Sequence, residues 1–185
     1  MESGFCSKRL HATNQADTSR VVNRTPPVDV LSLDQQVCFP IYAASNLLQR
    51  IYRPLLEPLG LTYAQYLVML VLWERDGLTV KDLEARVLLD SGTLSPLLRR
   101  LEKQGLLVRR AFADDARVTV LALTAAGRTL RARAVKVPEA LVCRMLGGQK
   151  PDATAVAQVV ALRTQLQALV GRLEEAARPS TRRTA

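Results

Sequence analysis

The sequence holds one histidine, one tryptophan and three cysteines in 185 residues, and aromatics make up 4%. With His11 alone and cysteines at positions 6, 38 and 143, no metal-ligand spacing exists, and no cofactor is expected. Three cysteines are too few, and an odd number, for a disulfide-stapled secreted scaffold. A reducing cytoplasm is the default, where a cysteine is either buried filler or chemically active. No apolar run approaches the length of a membrane span, so no membrane partner is expected. Lys8 and Arg9 near the start are followed by no apolar stretch of a secretory signal. Glycine-rich nucleotide loops and the GxSxG nucleophile elbow are missing. So are a CxxC pair and a thioredoxin-like βαβ pattern, which argues against a thiol peroxidase. The chain is not expected to be an enzyme.

Hydrophobic residues, in contrast, reach 48%, enough for a real core, and the formal net charge is +9. The abundance of Leu, Ala and Arg favours helices. An excess of positive charge on this scale points to a polyanionic partner, usually nucleic acid.

Residues 1–30 are polar, lack hydrophobic periodicity and end in Thr25-Pro26-Pro27; they read as a disordered extension. Residues 178–185 form a basic tail. Between them, 31–177 is one unit. Its first helix spans about Leu33 to Leu56, with Val37, Ile41, Ala44, Leu48, Ile51 and Leu55 near helical spacing. Pro40 is awkward there, so the regular helix starts near Phe39 or is kinked. A second helix begins near Thr62 and stops at Asp76-Gly77. Thr79 caps a short third helix, Val80 to Arg86, with Asp82 placed for a capping box. Asp90 or Ser91 caps a fourth, Thr93 to Gln104, which Gly105 ends. Residues 106–110 and 118–123 then read as two strands joined by a polar turn. Thr124 caps a fifth helix reaching about Met145. After Gly147, Gly148 and Pro151, a last helix from Asp152 to Ala177 places Val156, Val159, Leu162, Leu166, Leu169, Val170 and Leu173 on one stripe. The expected fold is mainly α with a small β-hairpin wing, and the order of elements describes a winged helix-turn-helix over 61–124.

Nine basic residues lie between Arg99 and Arg133, opposed only by Glu102, Asp114 and Asp115. They fall on the expected recognition helix, the wing and the helix that follows, where cations neutralise phosphates and release counterions. Arg99 and Arg100 are the candidates on the recognition helix. At its start, Ser91, Thr93 and Ser95 are small enough to approach phosphates or base edges. Arg117 at the hairpin tip can enter a narrow minor groove, and Asp115 can pair with it. A solvated basic face gives the same charge, but not together with this order of elements.

The runs from Leu61 to Gly77 (LTYAQYLVMLVLWERDG) and from Leu89 to Glu102 (LDSGTLSPLLRRLE) resemble the MarR family of transcriptional regulators. The Asp115-x-Arg117 wing, Leu123-Thr124-x-x-Gly127 and Gln36-Val37-Cys38-Phe39 narrow the resemblance to its organic hydroperoxide resistance regulators, two-cysteine type. It covers residues from about 33 to 145. The resemblance implies a two-fold homodimer, built by residues 33–57 and 125–177, on a palindromic double-stranded operator. The apolar stripes on 33–56 and 152–177 fit this independently.

The resemblance also implies a redox sensor of organic hydroperoxides. Cys38 matches the reactive cysteine, and a helix start favours thiolate over thiol. A thiolate that attacks a peroxide becomes a sulfenic acid. Tyr52 and Tyr63 fall where tyrosines donate hydrogen bonds to the sulfur, and Tyr42 where a third lies. Phenols suit this role because they donate without adding a competing charge. Position alone would make Cys38 a buried small hydrophobe and the tyrosines ordinary core. Cys143 falls where a resolving cysteine would stand; the plainer reading is a core cysteine between Val142 and Met145. Pro40 departs from the resemblance, which carries a small non-proline residue there.

The reading is thus a DNA-binding repressor that releases its operator when Cys38 is oxidised. The alternative is a MarR-type repressor released by a small aromatic anion, with the cysteines as spectators.

Overall fold

The regular first helix begins at Cys38, one residue before the start near Phe39 that Pro40 suggested. The structure is a computed structural model that describes residues 29–111 and 119–178. Its chain divides into two units, residues 1–41 and 42–185. In the first unit a 3-10 turn over Leu33–Gln35 precedes helix α1, Cys38–Leu56, which opens at Cys38. Pro40 therefore lies in the first turn of α1, where a missing N–H leaves no helical bond unmade.

In the second unit, the rest of α1 leads to α2 (Tyr63–Glu74), β1 (Leu78–Thr79), α3 (Val80–Val87) and α4 (Ser91–Lys103). Strands β2 (Leu107–Ala111) and β3 (Thr119–Leu123) follow, then α5 (Ala125–Ala134), α6 (Val137–Met145) and α7 (Ala153–Ala177). Side-chain caps explain most of the starts. Thr79 and Asp82 form the expected capping box, and Asp90 accepts from Thr93 N at the head of α4. Thr124 accepts from Gly127 N, and Asp152 from Ala155 N. A further capping box, Thr62 with Gln65, starts α2.

Two expectations need correction. The fifth helix is two helices, α5 and α6, because Pro138 sits in the first turn of α6 and cannot continue α5. The hairpin is part of a three-stranded antiparallel sheet in the order β1-β3-β2, since Leu78 and Thr79 pair with Leu121 and Val120.

The core is built on α2. Tyr66, Val68, Met69 and Leu72 are buried with Leu83 of α3, Leu94, Leu98 and Leu101 of α4, and Leu107 and Leu121 of the sheet. Asp76 ties α2 to the sheet: its Oδ1 accepts from the backbone N–H of Gly77 and of Leu123, while Arg128 pairs with its Oδ2 at 3.4 Å. Gly127 brings α5 against β2 so closely that a Cβ there would lie 2.0 Å from the Leu106 carbonyl oxygen. Between α3 and α4, Leu88 takes a left-handed conformation (φ 55°) and is exposed. Helix α7 contains no buried residue, and Val156, Leu162, Leu166 and Leu173 of its apolar stripe are exposed. Among the described residues, no single helix is long and apolar enough to cross a membrane.

Candidate functional site

Helices α3 and α4 with the intervening turn form the helix-turn-helix. Leu94, Leu98 and Leu101 turn one face of α4 into the core, so the opposite face is left to solvent. On that outer side Ser91, Thr93, Arg99 and Arg100 are exposed and Ser95 is half-buried. The structure thus puts the hydroxyl candidates in the first turns of α4 and the arginines toward its end. Asp90 carries the start of the helix: Thr93 donates to it from its backbone N–H at 2.8 Å and from its hydroxyl at 3.1 Å. These two bonds, the backbone one foremost, hold the Asp90 carboxyl below its ordinary pKa. Arg109 on β2 pairs with Glu102 of α4 at 3.6 Å. Asp115 and Arg117, the candidates at the wing tip, lie outside the described residues, as does Cys6.

Cys38 is the first residue of α1 and is exposed. In the second unit, Tyr52 of α1 and Tyr63 at the start of α2 come together, with ring centroids 4.8 Å apart. Tyr66 extends the cluster, 5.7 Å from Tyr52, and its ring meets Trp73 edge-on at 6.3 Å. Burial, reinforced by Tyr63 and Tyr66, pushes the Tyr52 phenol up to about 12. Burial raises Tyr63 and Tyr66 too. All three therefore stay neutral, and able to donate a hydrogen bond, at any physiological pH. Tyr42 stands apart from the stacked rings; it is 67% exposed. Cys143 is half-buried on α6, near its C-terminus.

A groove of about 1310 Å³ was not anticipated from the sequence. Tyr42, Asn46, Arg50 and Arg53 of α1 line it with Tyr63, and Arg100 and Lys103 of α4 line it with Gln104 just beyond. Its four cations are opposed by Glu57 alone, and none of the four forms an ion pair among the described residues. The signal was the spacing of Arg50 with Arg53 and of Arg100 with Lys103, each pair on one helix face. Nothing local shows that the two faces meet. Tyr66, given no role from the sequence, joins the tyrosine cluster because α2 packs beside α1.

Residues 61–119 match the MarR family. Over 110 residues the chain is 44% identical to the organic hydroperoxide resistance transcriptional regulator of Bacillus subtilis, covering 60% of this chain and 75% of that protein. It is 42% identical over 160 residues to the HTH-type transcriptional regulator TtmR of Methylorubrum extorquens, covering 86% and 82%. Among solved structures it resembles reduced AbfR bound to DNA, with a TM-score of 0.61 and 30% identity over 76% of this chain and 94% of that one. AbfR, from Staphylococcus epidermidis, has also been solved with its disulfide formed; that structure gives a TM-score of 0.54 and 32% identity over 77% and 92%. By its winged-helix fold, its exposed recognition helix and these relatives, the chain belongs to the MarR family of DNA-binding transcriptional regulators.

Proposed function

We propose that this regulator is a homodimeric repressor that senses organic hydroperoxides through Cys38 and then releases a palindromic operator. The observation that carries the reading is the pairing of Tyr52 with Tyr63: two neutral phenols 4.8 Å apart, at the positions for which the resemblance implies donors to a reactive sulfur. The 44% identity to a hydroperoxide resistance regulator supports it.

In the reduced protein α4 enters the major groove. Ser91, Thr93 and Ser95 face base edges and phosphates, Arg99 and Arg100 face phosphates, and Arg117, oriented by Asp115, reaches the minor groove. The uncovered stripe of α7 is the surface on which a second copy packs. On exposure to peroxide, the Cys38 thiolate attacks the outer peroxide oxygen. The O–O bond breaks, the alcohol leaves after taking up a proton, and Cys38 becomes a sulfenic acid. The thiol of the partner subunit's Cys143 then displaces that hydroxyl as water, forming a disulfide between subunits. Moving the two winged units off their half-sites needs only about 1–3 kcal/mol of coupling, a 5- to 150-fold loss of affinity.

A gel shift on operator DNA tests this. Cumene hydroperoxide releases the wild type, and Cys38→Ser abolishes the response; a Cys38→Ser protein that still responds sinks the reading. On a non-reducing gel the peroxide-treated protein runs as a linked dimer, and Cys143→Ser does not.

The four cations of the groove favour a second reading, in which an aromatic anion such as salicylate seats against Arg50, Arg53, Arg100 and Lys103 and releases the DNA. In that case salicylate acts on the Cys38→Ser protein as well as on the wild type.

A further inference from the structure

Of the three hydroxyls in the first turns of α4, that of Thr93 is the one engaged among the described residues: it donates to Asp90 Oδ2 at 3.1 Å. A hydroxyl has one hydrogen to donate and two lone pairs to offer. An ionised carboxylate can only accept, so the hydrogen of Thr93 is committed to Asp90.

The Asp90 side chain is itself held in place. Its Oδ1 accepts from the Thr93 backbone N–H at 2.8 Å, so the carboxylate cannot turn away without uncapping the helix. Gly92 leaves room for this arrangement, since a Cβ there would lie 3.0 Å from Asp90 Oδ1. The bonds from Thr93 also hold the Asp90 carboxyl below its ordinary pKa and so keep it ionised.

Thr93 is exposed, and its hydroxyl can offer an incoming group only lone pairs. That excludes several partners on DNA. Phosphate oxygens, guanine O6 and N7, and thymine O4 are all acceptors and have no hydrogen to give it. Adenine N6 and cytosine N4 carry amino hydrogens in the major groove. Donation to a carboxylate also makes the same oxygen a better acceptor, because bonds in a chain polarise one another. Ser91 and Ser95 carry no such tie among the described residues. Their hydroxyls rotate to donate or to accept, and so suit phosphates as well as bases.

We infer that Thr93 is a specificity-determining residue of acceptor polarity: it accepts from the amino group of an adenine or a cytosine, and Asp90 positions it by holding its hydrogen. The assignment rests on α4 lying in the major groove. It also makes Asp90 the switch of polarity. In Asp90→Asn the amide oxygen keeps the Thr93 N–H, and the helix stays capped, since Asn caps as well as Asp. The amide nitrogen then stands in place of Oδ2 and donates to Thr93, whose own hydrogen is freed for guanine or thymine.

The full-length protein selects binding sites from a library of palindromic duplexes with randomised half-sites, and each variant repeats the selection. The wild type holds adenine or cytosine at one half-site position that Thr93→Val releases. Exchanging that base pair weakens wild-type binding about fivefold or more. Thr93→Ser, which keeps the oxygen, keeps the preference. Asp90→Asn moves it toward guanine or thymine at that position alone. On the wild type itself, a methyl group added to that amino nitrogen, with the pairing hydrogen left in place, weakens binding as much as the exchanged base does. The inference is overturned by guanine or thymine at the Thr93-dependent position, by a Thr93→Val selection identical to that of the wild type, by an unchanged preference in Asp90→Asn, or by unaltered binding to the methylated site. In each of these cases Arg99→Ala still lowers the salt slope. An unchanged slope in Arg99→Ala, together with an unchanged Thr93→Val selection, removes α4 from the groove and overturns that reading as well.

Discussion

The rings of Tyr52 and Tyr63 lie 4.8 Å apart and tilted by 36°, although eleven positions and a helix boundary separate them in the chain. If both phenols donate to one sulfur, removing either hydroxyl weakens the same thiolate. Tyr52→Phe and Tyr63→Phe are each expected to slow oxidation of Cys38 by cumene hydroperoxide several-fold. The double variant falls short of the product of the two, because groups sharing one acceptor are not additive. Stopped-flow trapping of the sulfenic acid measures all four proteins; strict additivity removes the shared-acceptor arrangement.

The same cluster sets an alkaline limit on stability. Tyr52 has its pKa raised from 10.0 to about 12 in the folded state. Its neutral form is favoured by folding, so its contribution is complete below pH 10 and is lost as pH rises from about 10 to about 12. Absorbance of tyrosinate against pH is expected to show a late component that disappears in Tyr52→Phe. The variant also loses less stability over that interval than the wild type does.

Gly127 carries a different constraint. A methyl group at this position meets the Leu106 carbonyl oxygen at 2.0 Å, and the Gly127 carbonyl accepts from Trp73. A flexible side chain could move aside; the backbone leading into β2 cannot. Gly127→Ala is expected to destabilise by at least about 2 kcal/mol, in the upper part of the range for single substitutions. Thermal unfolding followed at Trp73 gives the value, and the emission of the native state shifts because the indole loses its acceptor geometry.

At the turn of the helix-turn-helix, Leu88 holds φ at 55° with its side chain 56% exposed. An L-residue with a Cβ is strained there, and the exposed leucine has little packing to lose. Leu88→Gly relieves the strain but adds freedom to the unfolded chain. The net is a gain of about 0.5 kcal/mol, read from urea midpoints.

For the recognition helix, Arg99→Ala is expected to weaken operator and random DNA alike and to lower the slope of log affinity against log salt by about 1. Thr93→Ala should instead change the preference among operator variants. An Arg99→Ala protein with an unchanged salt slope would take that side chain off the phosphates.

Legibility followed distance along the chain. The caps at Thr79, Asp90 and Thr124 were readable because each acts on a backbone N–H three residues away. So were the burial of Leu94, Leu98 and Leu101 and the exposure of the arginines between them. The capping box of Thr62 and Gln65 was equally local and passed unnoticed, hidden by the tyrosines around it. Strand β1 could not be read, since two residues make no pattern and their partners lie some forty positions on. The break between α5 and α6 was written in Pro138, but the apolar spacing ran through it. The closeness of Tyr52 and Tyr63 was accessible only through the resemblance. The groove depends on helices meeting in space, and no spacing within one helix reveals that.

Helix α7 leaves its apolar stripe uncovered along 25 residues. If a second copy packs on that stripe, as proposed, resistance to heat rises with the protein's own concentration, because that copy is the ligand that covers it. Dilution then acts as a denaturant, and the number of copies in a cell sets how much regulator survives to hold its DNA.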